Sequence, residues 1–308
     1  MKEHTDTNLL KRTFSRLKND KLALTGGIIV LLFILAGAFA TYIAPHDPTA
    51  VNIENRLLPS SWEYPLGTDQ LGRDVLSRII YGTQVTLRNA FLVLAGILII
   101  GVPMGMIAGY TGGRIDNFIM RVADIVLTFP SGILALAVVG MMGPGMLNIM
   151  LVLVSLWWAP FARVIRGAVL KIKEKDFVMA AEAAGTSKFQ IIVKHILLNA
   201  ASPIIVLATL NVASIIMHIA GFSFIGLGTQ PPAADWGVML NDSREFIATD
   251  PALMLWPGLA IMIVIFGLNM LGEGLNEALS PHTQKGIQRI KPWSVQRKVS
   301  TLKEDTYE

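Results

Sequence analysis

Residues 174–198 read EKDFVMAAEAAGTSKFQIIVKHILL, a charged, alanine-rich stretch in a chain whose other long segments are apolar. Ala and Glu favour helix, and Phe177, Ala181 and Ala184 recur at i, i+4 and i+7. The spacing therefore predicts a short helix with small side chains along one narrow face and Gly185 as its stop. Such a helix suits docking into a groove on another protein. A solvated linker helix fits the same pattern, and the stretch by itself leaves both open.

The surroundings decide the fold class. The chain is 53% hydrophobic and only 16% charged, whereas a soluble domain carries about a quarter charged residues. Its apolar residues gather into runs near the length of about 20 residues that a helix needs to cross a bilayer. Six such runs are present: Leu22–Ala44, Leu87–Tyr110, Phe118–Val139, Asn148–Ala162, Pro203–Leu227 and Leu253–Leu271. Lipid offers no partner for a free backbone group, so each run is expected to be a helix. Alternating ten-residue strands of barrel type are absent. The expectation is an all-α membrane protein with six transmembrane helices. Basic residues and an Ala38-Phe39-Ala40 sequence give the first run the look of a signal peptide, but its length argues for a retained helix. The fourth run is short, and Trp157 and Trp158 near its end are expected to lie in an interfacial belt.

Lys and Arg set the orientation. They cluster before the first run (Lys2, Lys11, Arg12, Arg16, Lys18, Lys21), after the last (Lys285, Arg289, Lys291, Arg297, Lys298, Lys303) and after the fourth (Arg163, Arg166, Lys171, Lys173, Lys175, Lys188, Lys194). Acidic residues predominate elsewhere: Asp47, Glu54, Glu63, Asp69 and Asp74 in one segment, Asp235, Asp242, Glu245 and Asp250 in another. Both termini and the 174–198 stretch are expected to be cytoplasmic, in a bacterial plasma (inner) membrane. Topology accounts for the basic pI near 9.3, so nucleic acid is not implied as a partner; membrane lipid is. The expected layout is a cytoplasmic segment 1–21, a first transmembrane helix 22–44, an extracytoplasmic segment 45–83, a membrane core 84–277 containing the loop 167–200, and a cytoplasmic tail 278–308.

Catalytic motifs are missing. A phosphate-binding loop needs a Gly-Lys step, and none occurs in this sequence, which also lacks cysteine. The five histidines are scattered and form no metalloenzyme pattern. No catalytic residue and no bound cofactor are expected.

The stretch Ala180-Ala181-x3-Gly185, with Phe189-Gln-Ile-Ile and Lys194-His195-Ile196-Leu197-Leu198-Asn199 after it, resembles the EAA loop of permease subunits in bacterial ATP-binding-cassette (ABC) importers. Further likeness lies in Pro65-Leu-Gly-Thr-Asp-Gln-Leu-Gly-Arg-Asp-Val-Leu-Ser-Arg-Ile-Ile-Tyr-Gly82, Gly109–Asn117, Ser223–Pro232, Asp235-Trp-Gly237 and Trp256-Pro-Gly-Leu259. These resemble the second, C-type permease of the peptide and nickel class. The resemblance implies a type I ABC importer permease fold and a second homologous permease as partner. It also implies two cytoplasmic ATPase subunits that hold the ATP and Mg, and an extracytoplasmic substrate-binding protein. The ATPase-docking residues it implies are Phe177, Met179, Ala180, Ala181, Glu182 and Gly185; Met179 stands where the family usually has its leading Glu.

Within the spans, Gly101, Gly105 and Gly109 form a small-xxx-small face suited to close helix packing. Arg121 and Asp124 have the spacing of an i to i+3 ion pair. For the substrate path the expected residues are Asn211, Met217 and His218. Peptide permeases of the class commonly carry Glu at what is here Ile219, whereas His218-Ile-Ala-Gly221 resembles the nickel branch. Imidazole suits nickel-like ions, so His218 is the candidate metal contact, with a hydrogen-bonded packing histidine as the alternative. Nickel or a metal chelate is the expected cargo, a dipeptide or oligopeptide the alternative, and a secondary transporter a third class that would need inverted repeats.

Overall fold

The computed structural model describes residues 17–279, so the basic residues expected at both termini lie, apart from Lys18 and Lys21, outside the described part. Among the described residues no β-strand occurs, only an isolated bridge between Thr68 and Asp74. Five helices are long and apolar enough to cross a membrane, and six spans result if a bent pair counts as one.

Helix α1 (Lys21–Ala38) starts where Asp20 accepts the backbone amides of Leu22 and Ala23, a cap that satisfies otherwise free donors. It packs on the last helix, α9 (Ala252–Leu279), through facing glycines. A Cβ added at Gly26 would lie 2.6 Å from the Gly267 carbonyl oxygen. Helix α2 (Val75–Thr111) is capped by Asp74, whose carboxylate accepts from the Ser77 amide at 3.0 Å. At 37 residues it measures about 55 Å, well beyond the hydrocarbon thickness, so it stands proud of the span expected from its apolar run. Gly112 closes it at φ +64°, a left-handed conformation that needs glycine.

The run expected to be a single third helix is broken. Helices α3 (Gly113–Thr128) and α4 (Ser131–Met142) meet at an angle of 84°. Pro130 has no amide hydrogen to continue the ladder, and its ring forces the preceding Phe129 into extended backbone at φ −93°, ψ 141°. The fourth run is also longer than its apolar part: α5 extends over Met146–Lys173. Trp157 and Trp158 therefore fall in mid-helix, a few residues before the first charge at Arg163. Arg163, Arg166, Lys171 and Lys173 belong to this helix and not to a loop.

The glycine face of α2 lies against α5. Added Cβ atoms would stand 3.0 Å from Phe161 Cβ at Gly101, 2.6 Å from the Ala162 oxygen at Gly105 and 2.7 Å from Val169 Cβ at Gly109. Backbones this close gain dispersion along the whole seam. After the short helix α6 (Asp176–Ala183) the chain enters α7 (Lys188–Phe224), which includes a π-helical stretch at Ile191–Leu197. Helix α8 (Trp236–Ser243) then leads into α9. The core runs along the contacts of α2, α5, α7 and α9, with Ile97, Ile149, Phe161, Ile216 and Val264 essentially inaccessible.

Candidate functional site

Helix α6 is made by its ends and by one buried residue. Asp176 lies in the first turn, where its charge complements the helix dipole. At the far end Gly185 has φ +75°, its amide bonds the Glu182 carbonyl at 3.0 Å, and the Thr186 amide bonds the Ala181 carbonyl at 3.1 Å. This pair of reversed bonds is a Schellman closure. Val178 is fully buried and Ala181 packs against the core, while Phe177, Met179, Ala180, Ala183 and Ala184 are exposed. The face open to a partner is therefore Met179, Ala180, Ala183 and Ala184, with Phe177 on its flank. Ala181 turns inward and does not share a free face with Phe177 and Ala184. The Phe177 ring sits 6.3 Å from the His195 ring in the π-helical stretch.

Glu182 had no assigned neighbour in the sequence. Its Oε1 accepts a hydrogen bond from the Tyr110 hydroxyl at 2.9 Å. Tyr110 lies in the last turn of α2, and its carbonyl accepts from Lys173 Nζ at 2.9 Å, with the same ammonium 5.8 Å from the tyrosine ring centroid. Two further bridges tie α5 to α3 nearby. Arg166 holds Asp116 through Nε and a terminal nitrogen at 2.5 and 2.6 Å, a forked geometry that adds direction to charge. Asp124 pairs with Arg163 at 2.6 Å and not with Arg121, so the i to i+3 pair expected there is replaced by one between helices.

On α7, Asn211, Ser214 and His218 fall at i, i+3 and i+7 along one side. The Asn211 amide donates to the Leu207 carbonyl at 2.7 Å. His218 Nδ1 contacts the Ser214 carbonyl at 2.8 Å, and because a carbonyl only accepts, that nitrogen is the donor and Nε2 keeps its lone pair. The imidazole stands edge-on to Trp157 with centroids 4.7 Å apart, and Met217 beside it is 57% exposed. Ile219 is fully buried, so that position looks into the bundle, away from the side carrying His218. Among the described residues no three His, Cys, Asp or Glu side chains gather as a metal site.

The opposite end carries a charge cluster that spacing did not reveal. Arg73 Nε donates to Asp69 at 2.6 Å and its terminal nitrogen to Asp242 at 3.2 Å. Arg78 joins both carboxylates at 3.4 and 3.8 Å and donates to the Pro48 carbonyl at 3.3 Å. Both arginines are almost completely buried. The cluster pins the 45–74 segment and the start of α2 to α8. Trp236, fully buried, donates from Nε1 to the Ile79 carbonyl at 3.1 Å. Next to it Asp235 caps α8 through the Gly237 and Val238 amides. Burial pushes its carboxyl above the usual range, against the opposing pull of those amides and of the Ser223 and Thr229 hydroxyls.

Comparison with known proteins gives concordant matches. Residues 101–285 match the family described as binding-protein-dependent transport system inner membrane component, and residues 8–59 match the N-terminal transmembrane domain of oligopeptide transport permease C. The dipeptide transport system permease protein DppC of Alkalihalophilus pseudofirmus is 42% identical over 91% of this chain and 92% of its own length. The nickel transport system permease protein NikC of Escherichia coli K12 is 39% identical over 83% of this chain and 92% of its own. Among solved structures, an inward-facing MetNI methionine ABC transporter chain superposes with TM-score 0.54 at 20% identity, covering 67% of this chain and 97% of that one. That likeness concerns the fold.

Proposed function

The chain belongs to the family of inner membrane components of binding-protein-dependent transport systems, as a C-type permease of the peptide and nickel class with the type I importer fold, and from that premise we propose its cargo, partners and cycle. It forms a translocation path with a second homologous permease, nickel or a metal chelate passes between them, and an external binding protein delivers it. Two cytoplasmic ATPases hold ATP and Mg and seat the open face of α6, formed by Met179, Ala180, Ala183 and Ala184, in a groove. Closure of their nucleotide sites moves α6 as a rigid body and rocks the bundle between inward-open and outward-open states. Both termini lie with α6 on the cytoplasmic side.

The observation that carries the metal cargo is His218. Its Nδ1 is engaged by the Ser214 carbonyl, which leaves the lone pair on Nε2, and the polarizable Met217 is exposed beside it. A single imidazole with a soft neighbour gives a weak, passing contact, as transport requires; a full ligand set would retain the ion. The dipeptide reading is kept alive by the 42% identity to a dipeptide permease.

Uptake of radioactive nickel by cells deleted for this chain and then restored separates the two. Loss on deletion, recovery on restoration, and no competition by unlabelled dipeptides support the metal cargo. His218→Ala should then raise the half-saturating nickel concentration several-fold. Unchanged nickel uptake with lost growth on peptides would assign the chain to peptide import.

A further inference from the structure

We propose that Glu182 is a positioning residue for energy coupling, fastening α6 to the membrane helices through the Tyr110 hydroxyl. This rests on the permease reading above. The eight residues of α6 are too few to hold a helix in water unaided, so its placement depends on what it touches. One contact is apolar: Val178, fully buried. An apolar contact resists compression, and it opposes withdrawal only through the water it readmits. The Glu182–Tyr110 bond at 2.9 Å is different in kind, because it is directional and has a carboxylate acceptor.

The bond ends on a well-braced point. Tyr110 is 6% exposed at the last turn of α2, and its carbonyl is tied to Lys173 at the last position of α5. Along these two helices the glycine seam joins α2 to α5 over Gly101, Gly105 and Gly109. A displacement of α6 in either direction is thus delivered to two spanning helices at one residue. Met179, at the usual Glu position of the loop, is 51% exposed and faces outward. The carboxylate of this chain sits three residues later, where it stays exposed but reaches the Tyr110 hydroxyl, so its role is to hold α6 to the end of α2. An importer has to return as well as advance, and the return stroke draws α6 away from the membrane. The Glu182–Tyr110 bond carries that stroke.

The test uses the complete complex of this chain with its partner permease and ATPases in liposomes, supplied with the binding protein and with radioactive nickel or a labelled dipeptide. The readouts are cargo moved per ATP hydrolysed, basal ATPase activity, and hydrogen exchange across residues 176–186. Tyr110→Phe should lower cargo per ATP at least threefold with basal ATPase unchanged, Glu182→Ala should lower cargo per ATP to the same extent, and both should accelerate exchange in α6. The double variant should be no worse than either single one, because both remove the same bond. Glu182→Gln should retain coupling, since the amide oxygen still accepts from the hydroxyl. Wild-type cargo per ATP in Tyr110→Phe, or multiplying effects in the double variant, overturns the proposal. If Glu182→Ala does not assemble, Tyr110→Phe decides alone, for it removes a single oxygen. A wild-type complex that moves neither cargo sinks the permease reading instead; the strut is then judged on exchange, and unchanged protection in Tyr110→Phe refutes it.

Discussion

Substituting Gly105 by Ala tests whether the α2–α5 seam sets the stability of the bundle. The added methyl would lie 2.6 Å from the Ala162 carbonyl oxygen, 2.8 Å from Ile165 Cβ and 3.0 Å from Ile165 Cγ2. Optimal non-bonded separations are about 3.5–4.0 Å. Neither the carbonyl nor the β-branched Cβ is the free end of a flexible chain, so the helices must part by roughly 1 Å, and a gap of that size forfeits about a quarter to a half of each contact's attraction. Overpacking of this kind costs about 1–3 kcal/mol, offset by about 0.8–1 kcal/mol of helix propensity gained on replacing glycine. The expected net loss is about 1–2 kcal/mol, since the neighbouring contacts at Gly101 and Gly109 open with it. Gly140→Ala is the control, because a Cβ there meets nothing within 4 Å and only the propensity term applies. Detergent-solubilised protein titrated with SDS, followed by tryptophan fluorescence, gives the midpoints. The seam argument is refuted if Gly105→Ala unfolds at or above the midpoint of wild type or of Gly140→Ala.

Three other substitutions probe the end of the bundle that carries the arginine cluster. Arg78→Ala takes a buried donor from the Pro48 carbonyl and weakens the hold on Asp69 and Asp242, which keep Arg73, and should cost about 1–3 kcal/mol; Asp242→Asn, at a 25% exposed side chain, should cost clearly less, and the same SDS titration ranks them. Asp235 has a raised carboxyl value in the folded chain, so the folded state holds its proton more tightly than the unfolded state. Its contribution is fully present below the ordinary value of 3.8 and is lost as pH rises through the raised folded value. Asp235→Asn keeps an oxygen for the Gly237 and Val238 amides and should flatten that pH dependence, losing no more than about 0.5 kcal/mol at neutral pH; a profile identical to wild type would disprove the assignment.

The start of each terminal span reads cleanly from sequence, as in α1 and α9, whereas the end of the first does not: the helix expected over 22–44 stops at Ala38, and a separate turn of helix follows over Ala40–Ile43. Hydropathy reports which residues avoid water and is silent on direction. The turn at Phe129-Pro130 was therefore missed in the third run, although Pro130 is itself the signal for a break. It also stops at the first charge, which hid the extension of α5 through Arg163, Arg166 and Lys173. Those cations looked like a solvated loop because their partners, Asp116, Asp124 and the Tyr110 carbonyl, lie far away along the chain. Long-range ion pairs leave no periodic trace, and the same holds for Arg73 and Arg78 with Asp242. The short helix at 176–183 was legible with its glycine stop. Which of its faces is open was not, because Phe177, Ala181 and Ala184 are chemically as suited to the inside as to the outside; only the buried Val178 fixes the rotation.

The π-helical stretch at Ile191–Leu197 lies between α6 and the side of α7 that carries Asn211, Ser214 and His218. Each residue of an α-helix advances the azimuth by about 100°, and a π turn accommodates an extra residue without breaking the rod. The number of residues in that stretch therefore acts as a vernier: it sets the angular phase between the open face of α6 and the side of α7 that carries the imidazole. Related chains that keep both surfaces but differ in this short interval would present the imidazole to a different neighbour, a change of aim with no change in any residue of either surface.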